Sequence, residues 1–128
     1  MQYRPDAPSL LEAIADFLMK DVLPAVKEHD ALAYKTLVSW NMLGVVSREL
    51  KSAEPLLNDE IARLLSHFKE TRALPGSIGE KMELARELNG RLAEEIRSRS
   101  GDNAAQKELV KKALVENLSI SNPRFGTE

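Results

Sequence analysis

Two histidines, His29 and His67, are the only imidazoles in the chain, and cysteine is absent. Thiolate nucleophiles, disulfides and Cys-based metal sites are therefore closed to it. His29 stands beside Asp30, a pairing that metal-dependent phosphohydrolases also use. Such centres need several further His and Asp ligands, and only one His is left to supply them. His29 reads as a turn residue. His67 and Glu70 stand three apart on a helical segment. Di-iron bundles place Glu-x-x-His pairs on two helices and add two more glutamates, whereas here the order is reversed and there is no second copy. His67 reads as the edge of the apolar stripe from Leu64 to Phe68. No nucleophile elbow or phosphate-cradling glycine loop is present. The expectation is no catalytic residue, no metal and no cofactor, which favours a protein that is not an enzyme.

Two amides fall where the helical pattern wants apolar residues: Asn41 between Leu37 and Val45, and Asn117 between Ala113 and Leu118. A buried amide must find partners, so it usually fixes register or bonds to a broken backbone. The sharper alternative is that Asn41 lines a pocket or a subunit seam. Arg86, Arg91, Arg97 and Arg99 alternate with Glu83, Glu87, Glu94 and Glu95, a mixture that normally forms a solvated face. Anion recognition there would need Arg124 to fold back beside them.

The elements that must position these residues are helical. Asp6 or Ser9 opens the first helix, with Ser9 and Glu12 fitting a capping box and Leu10, Leu11, Ile14, Phe17 and Leu18 on one stripe. Pro24 predicts a kink near Leu23 and a short piece to about Glu28. Asp30 caps a helix from Ala31 to about Ala53, apolar all round at Leu37, Val38, Trp40, Met42, Leu43, Val45 and Val46. Such a segment is either the centre of a bundle or the seam of an oligomer. Glu54-Pro55 reads as a new start, with Asn58 a cap for the stripe Ile61, Leu64, Leu65, Phe68, ending before Leu74-Pro75-Gly76. Ser77 and Glu80 form a second capping box ahead of Leu84, Leu88, Leu92 and Ile96. Asp102 or Asn103 opens the last helix, with Leu109, Val110, Ala113, Leu114, Asn117 and Leu118 inward, and Pro123 stops it. The predicted fold is all-α: an antiparallel bundle of four long helices plus one short helix after a proline kink, in a single domain over residues 1–128.

Composition narrows the function classes. Aromatics are 5% of residues, so the core must be aliphatic, which suits helix-on-helix packing. Eighteen basic against twenty acidic side chains give a charge of −2, far from the basic footprint of a nucleic-acid binder. There is no basic n-region with an apolar run behind it and no span of roughly 18 uncharged residues. The expectation is a cytoplasmic protein with no membrane and no nucleic-acid partner.

The end of the last helix, Leu118-Ser119-Ile120-Ser121-Asn122-Pro123-Arg124-Phe125, resembles the closing signature of a family of small bacterial all-helical proteins of unknown function. Those proteins are encoded beside aminoglycoside-phosphotransferase-like kinases and acyl-CoA dehydrogenases. Arg4-Pro5, Leu10-Leu11-Glu12-Ala13, Phe17-Leu18, Asp21-Val22-Leu23-Pro24, Asn41 and Arg48-Glu49-Leu50 keep the order of that family, as do Leu88-Asn89, Arg91-Leu92 and Ile96-Arg97. Trp40 and Met42 depart from it, being bulkier than the alanines expected beside Asn41. The resemblance implies an accessory or regulatory subunit of an aminoglycoside-phosphotransferase-like kinase acting on a hydroxyacyl-CoA or similar small molecule. Candidate partner-binding residues are Trp40, Asn41, Asn122, Arg124 and Phe125, since an aromatic and an arginine at a chain end make good interface anchors. Two alternatives stay open: a structural homodimer with the Trp40 face as its two-fold seam, and a small ligand-binding bundle or enzyme with its site near Asn41 or Asn117.

Overall fold

Asp6 opens the first helix, α1 (Ala7–Phe17), in this computed structural model, which describes residues 3–125. The Asp6 carboxylate accepts from the Ser9 backbone N–H at 2.9 Å, so Ser9 is spoken for and the expected Ser9–Glu12 box does not form. From Leu18 to Val22 the helix widens into a π turn, and the Leu23 N–H bonds to the Leu18 carbonyl. A short helix α2 (Leu23–Val26) follows. Pro24 is the cause: it lacks a donor and its ring crowds the preceding turn, and a widened turn accommodates both.

The long helix α3 (Asp30–His67) corrects the expected break at Glu54-Pro55, for Pro55 lies inside it. Proline removes one hydrogen bond, but strong helix formers flank it on both sides and the helix continues. Asn58 is therefore mid-helix, and its buried Oδ1 has no hydrogen-bond partner among the described residues. The helix also ends earlier than predicted. Lys69 takes a left-handed φ of 55°, and the Glu70 N–H closes on the Leu65 carbonyl at 2.9 Å, a helix stop made without glycine.

Ser77 caps α4 (Ile78–Arg97) with both halves of the predicted box formed. Asp102 caps α5 (Asn103–Ser121) by accepting from Ala104 and Ala105. All regular elements among the described residues are helical. The chain divides into two compact units, the first ending at Ala53 and the second beginning at Glu54.

The second unit holds the aliphatic core. Ile61, Leu64 and Leu65 of α3 pack on Leu84, Ala85, Leu88 and Leu92 of α4, with Leu57, Phe68 and Leu109 at the margin. Ile96 departs from its predicted stripe and is 41% exposed. The α5 register is corrected as well. Val110, Leu114 and Asn117 are exposed, while Gln106 is buried and Glu116 is half-buried. Polar side chains won the inward positions because the other helices supply partners for them: Arg63 for Glu116, Glu95 for Gln106. In the first unit, Ala15 is the one apolar side chain among the described residues that is buried.

Candidate functional site

Trp40 and Asn41 come to lie in a cleft of the first unit, about 440 Å³ in volume, between α1 and α3. The α1 side and its π turn contribute Glu12, Ala15, Asp16 and Met19, and α3 adds Gly44, Ser47 and Arg48. Asn41 is exposed and Trp40 half-buried, so neither is the buried register-fixing residue that one reading expected of Asn41. A Cβ at position 44 would stand 3.0 Å from Nη1 of Arg48. Gly44 therefore leaves room for the guanidinium to lie back along its own helix.

Glu12 and Ser47 of the cleft belong to a network that the sequence did not announce. Ser47, 2% exposed, donates from Oγ to Oε1 of Glu12 at 3.0 Å, and Lys51 donates to the same oxygen. The Lys51 hydrogen bond first, and that from Ser47 second, hold the Glu12 carboxyl below its usual range. This is a structural clamp and not a catalytic pair, because a buried serine hydroxyl already bonded to a carboxylate offers no reachable nucleophile.

The second unit carries a polar cluster where α3, α4 and α5 meet. His67 Nε2 lies 2.6 Å from Oε2 of Glu95, and the Gln106 amide reaches the same oxygen at 3.0 Å and the Ser100 carbonyl at 2.7 Å. An ionised carboxylate only accepts, so Nε2 of His67 carries the proton. His67 first and Gln106 second keep the Glu95 carboxyl below its usual range. His67 also lines an open groove of about 600 Å³, together with Ala62, Arg63, Ser66, Ala105, Glu108, Leu109 and Lys112. Ser66 and His67 are sequence neighbours on a helix and cannot face one another, so they form no nucleophile–base pair. Glu70 turns instead to Arg91 and Arg72, and Arg91 stacks 4.2 Å over the Phe68 ring. Among the described residues no three His, Asp or Glu side chains gather as a metal site requires.

Asn122, Arg124 and Phe125 follow α5 in the second unit. The Asn122 N–H bonds to the Leu118 carbonyl at 2.8 Å and closes α5, while its own carbonyl accepts from the Phe125 N–H at 3.0 Å. This turn presents the Phe125 ring 62% exposed. Within the arginine run of α4, Arg86 pairs with Glu83 and Arg97 with Glu94, and no anion site emerges from them.

No described helix is long and apolar enough to cross a membrane. A family model described as a domain of unknown function (DUF6285) matches residues 24–125. No curated protein and no solved structure matches the chain.

Proposed function

The chain belongs to this family of unknown function (DUF6285), and from that premise we propose that it is a non-catalytic accessory subunit that works by docking on another protein. The observation that carries this reading is the uncovered first unit. Leu10, Ile14 and Phe17 of α1 are 42%, 49% and 55% exposed, and Leu37, Val38, Met42 and Val46 of α3 are 42%, 38%, 60% and 44% exposed, against Ala15 as the one buried apolar side chain among the unit's described residues. Leu10, Ile14 and Phe17 share one side of α1, and Val38, Met42 and Val46 share one side of α3; exposed apolar faces of this kind mark interaction sites. A helix pair that buries so little has little of its own to hold it together.

The partner, on the resemblance stated above, is a kinase of aminoglycoside-phosphotransferase type that phosphorylates a hydroxyacyl-CoA or similar small molecule. Phe125 and Arg124 serve as second anchors at the chain end, and Trp40 with Asn41 reads the partner from the cleft. A bacterial cytoplasm, one domain and an antiparallel bundle belong to the same proposal. The short connection between α4 and α5 supports that arrangement, since short turns join antiparallel neighbours.

Co-expression with such a kinase from the same organism tests the reading. The expected result is a stable complex in which kinase turnover changes on adding the small protein, and which weakens on Phe125→Ala or Arg124→Ala. A kinase that is fully active alone and never retains the chain would refute it.

A further inference from the structure

Tyr34, Val38, Met42, Val46 and Leu50 recur at every fourth position of α3, and all five are exposed, from 38% at Val38 to 69% at Tyr34. Rows of this spacing are the ridges by which helices interlock. This one is apolar throughout and roughly 24 Å long at the rise of a helix. A step of four residues turns such a row by about 40°, so its middle, Val38 and Met42, lies on the side of α3 away from Ser47, which faces α1, with Lys35 and Glu49 on that same side, while Leu50 has wound round toward Ser47.

The row is balanced about its midpoint. Val38 and Val46 are equally far from Met42, as are Tyr34 and Leu50. So are Lys35 and Glu49, which are exposed, opposite in charge and in no ion pair among the described residues. Two identical helices packed in parallel would set Lys35 against its own copy and Glu49 against its own. Packed antiparallel with the crossing at Met42, they set Lys35 against Glu49 of the partner subunit, and the two-fold axis repeats that pairing. Opposite charges placed this way select both the partner and the direction.

We infer that α3 pairs antiparallel with α3 of a second copy of this chain, crossing at Met42, with Lys35 and Glu49 bonded across the seam in both directions. Trp40 stays in its cleft and is not the seam. Leu10, Ile14 and Phe17, on the side of α1 away from α3, remain available to a different protein. The inference does not rest on the identity of that protein. A monomer that binds the kinase overturns only this inference, and a dimer that ignores the kinase overturns only the earlier reading.

The test is the solution mass of the full chain by light scattering from about 1 to 100 µM, a range that spans ordinary homodimer affinities. The mass should approach twice the 14.3 kDa of one chain. Lys35→Glu or Glu49→Lys alone should weaken association roughly tenfold or more, and the two together should restore it. In a chain with no other cysteine, Met42→Cys should oxidise to a covalent dimer. Tyr34→Cys should not, its counterpart lying roughly 24 Å along the seam. A monomer throughout the range overturns the inference. So does a dimer indifferent to both charge reversals, or cross-linking as ready at Tyr34 as at Met42. Should a reversal variant fail to fold, the contrast between the two cysteine variants decides.

Discussion

Glu95 of α4 accepts a hydrogen bond from Nε2 of His67 on α3 at 2.6 Å, and that contact organises the turn into α5. Gln106, 5% exposed, bonds to the same carboxylate, and Gly101 fits beneath both with a φ of 77°. A Cβ at Gly101 would meet Glu95 Oε1 at 2.7 Å and Gln106 Nε2 at 2.9 Å. Gly101→Ala should therefore destabilise the fold by more than about 1 kcal/mol, from backbone conformation and crowding together. Urea denaturation measures it, and an unchanged midpoint would remove the cluster from this role.

Acid should loosen the protein in a definite window. Glu12, Glu70, Glu87 and Glu95 are each held below the ordinary glutamate value of 4.5, chiefly by hydrogen bonds from Lys51, Arg91, Arg72 and His67 respectively. Lowered values mean that the folded chain binds fewer protons than the unfolded one as pH approaches 4.5 from above. Their contribution is complete above that value and is lost as pH falls through the lowered ones. Urea midpoints should fall steadily below about pH 4.5, and Glu95→Gln should flatten part of that slope. A flat profile there would contradict the assigned pairs.

Leu88 is 0% exposed at the centre of the second unit's core, and Leu114 is 53% exposed on α5. Leu88→Ala should cost about 2–5 kcal/mol by opening a cavity. Leu114→Ala should stay within about 0.5 kcal/mol. Equal effects at the two positions would mean that the exposed face of α5 is covered in solution.

Arg63 and Glu116 face each other as a two-pronged pair, Nη1 to Oε1 at 2.9 Å and Nη2 to Oε2 beside it, with side chains 21% and 16% exposed. A double-mutant cycle on Arg63→Met and Glu116→Gln should give a coupling of about 1–3 kcal/mol, above that of exposed pairs. A coupling near zero would place the pair among the solvent-screened ones.

Caps and stripes were legible in the sequence because they are local. Ser77 and Glu80 lie three apart, Asp102 sits directly before its helix, and Leu84, Leu88 and Leu92 repeat at helical spacing. Glu54-Pro55 was read as a helix start and lies inside α3 instead, since one missing donor does not outweigh the helix formers around it. The stop at Lys69 carried no local signal, because a lysine there adopts a conformation that glycine usually supplies. The α5 register was misread where Glu116 and Gln106 turn inward, as their partners Arg63 and Glu95 are distant in sequence. The cleft was half legible: Asn41 stood out as a polar residue in an apolar stretch, whereas Glu12 and Ser47 meet only after folding.

A calorimetric titration of a kinase of aminoglycoside-phosphotransferase type with the full chain and with Phe17→Glu tests the docking account most directly. Phe17 is 55% exposed, so the variant should melt with the parent chain. The account predicts micromolar or tighter binding for the parent and a loss of roughly a hundredfold for the variant. Absence of any heat of binding with the parent chain, or equal affinity for the two, would contradict it.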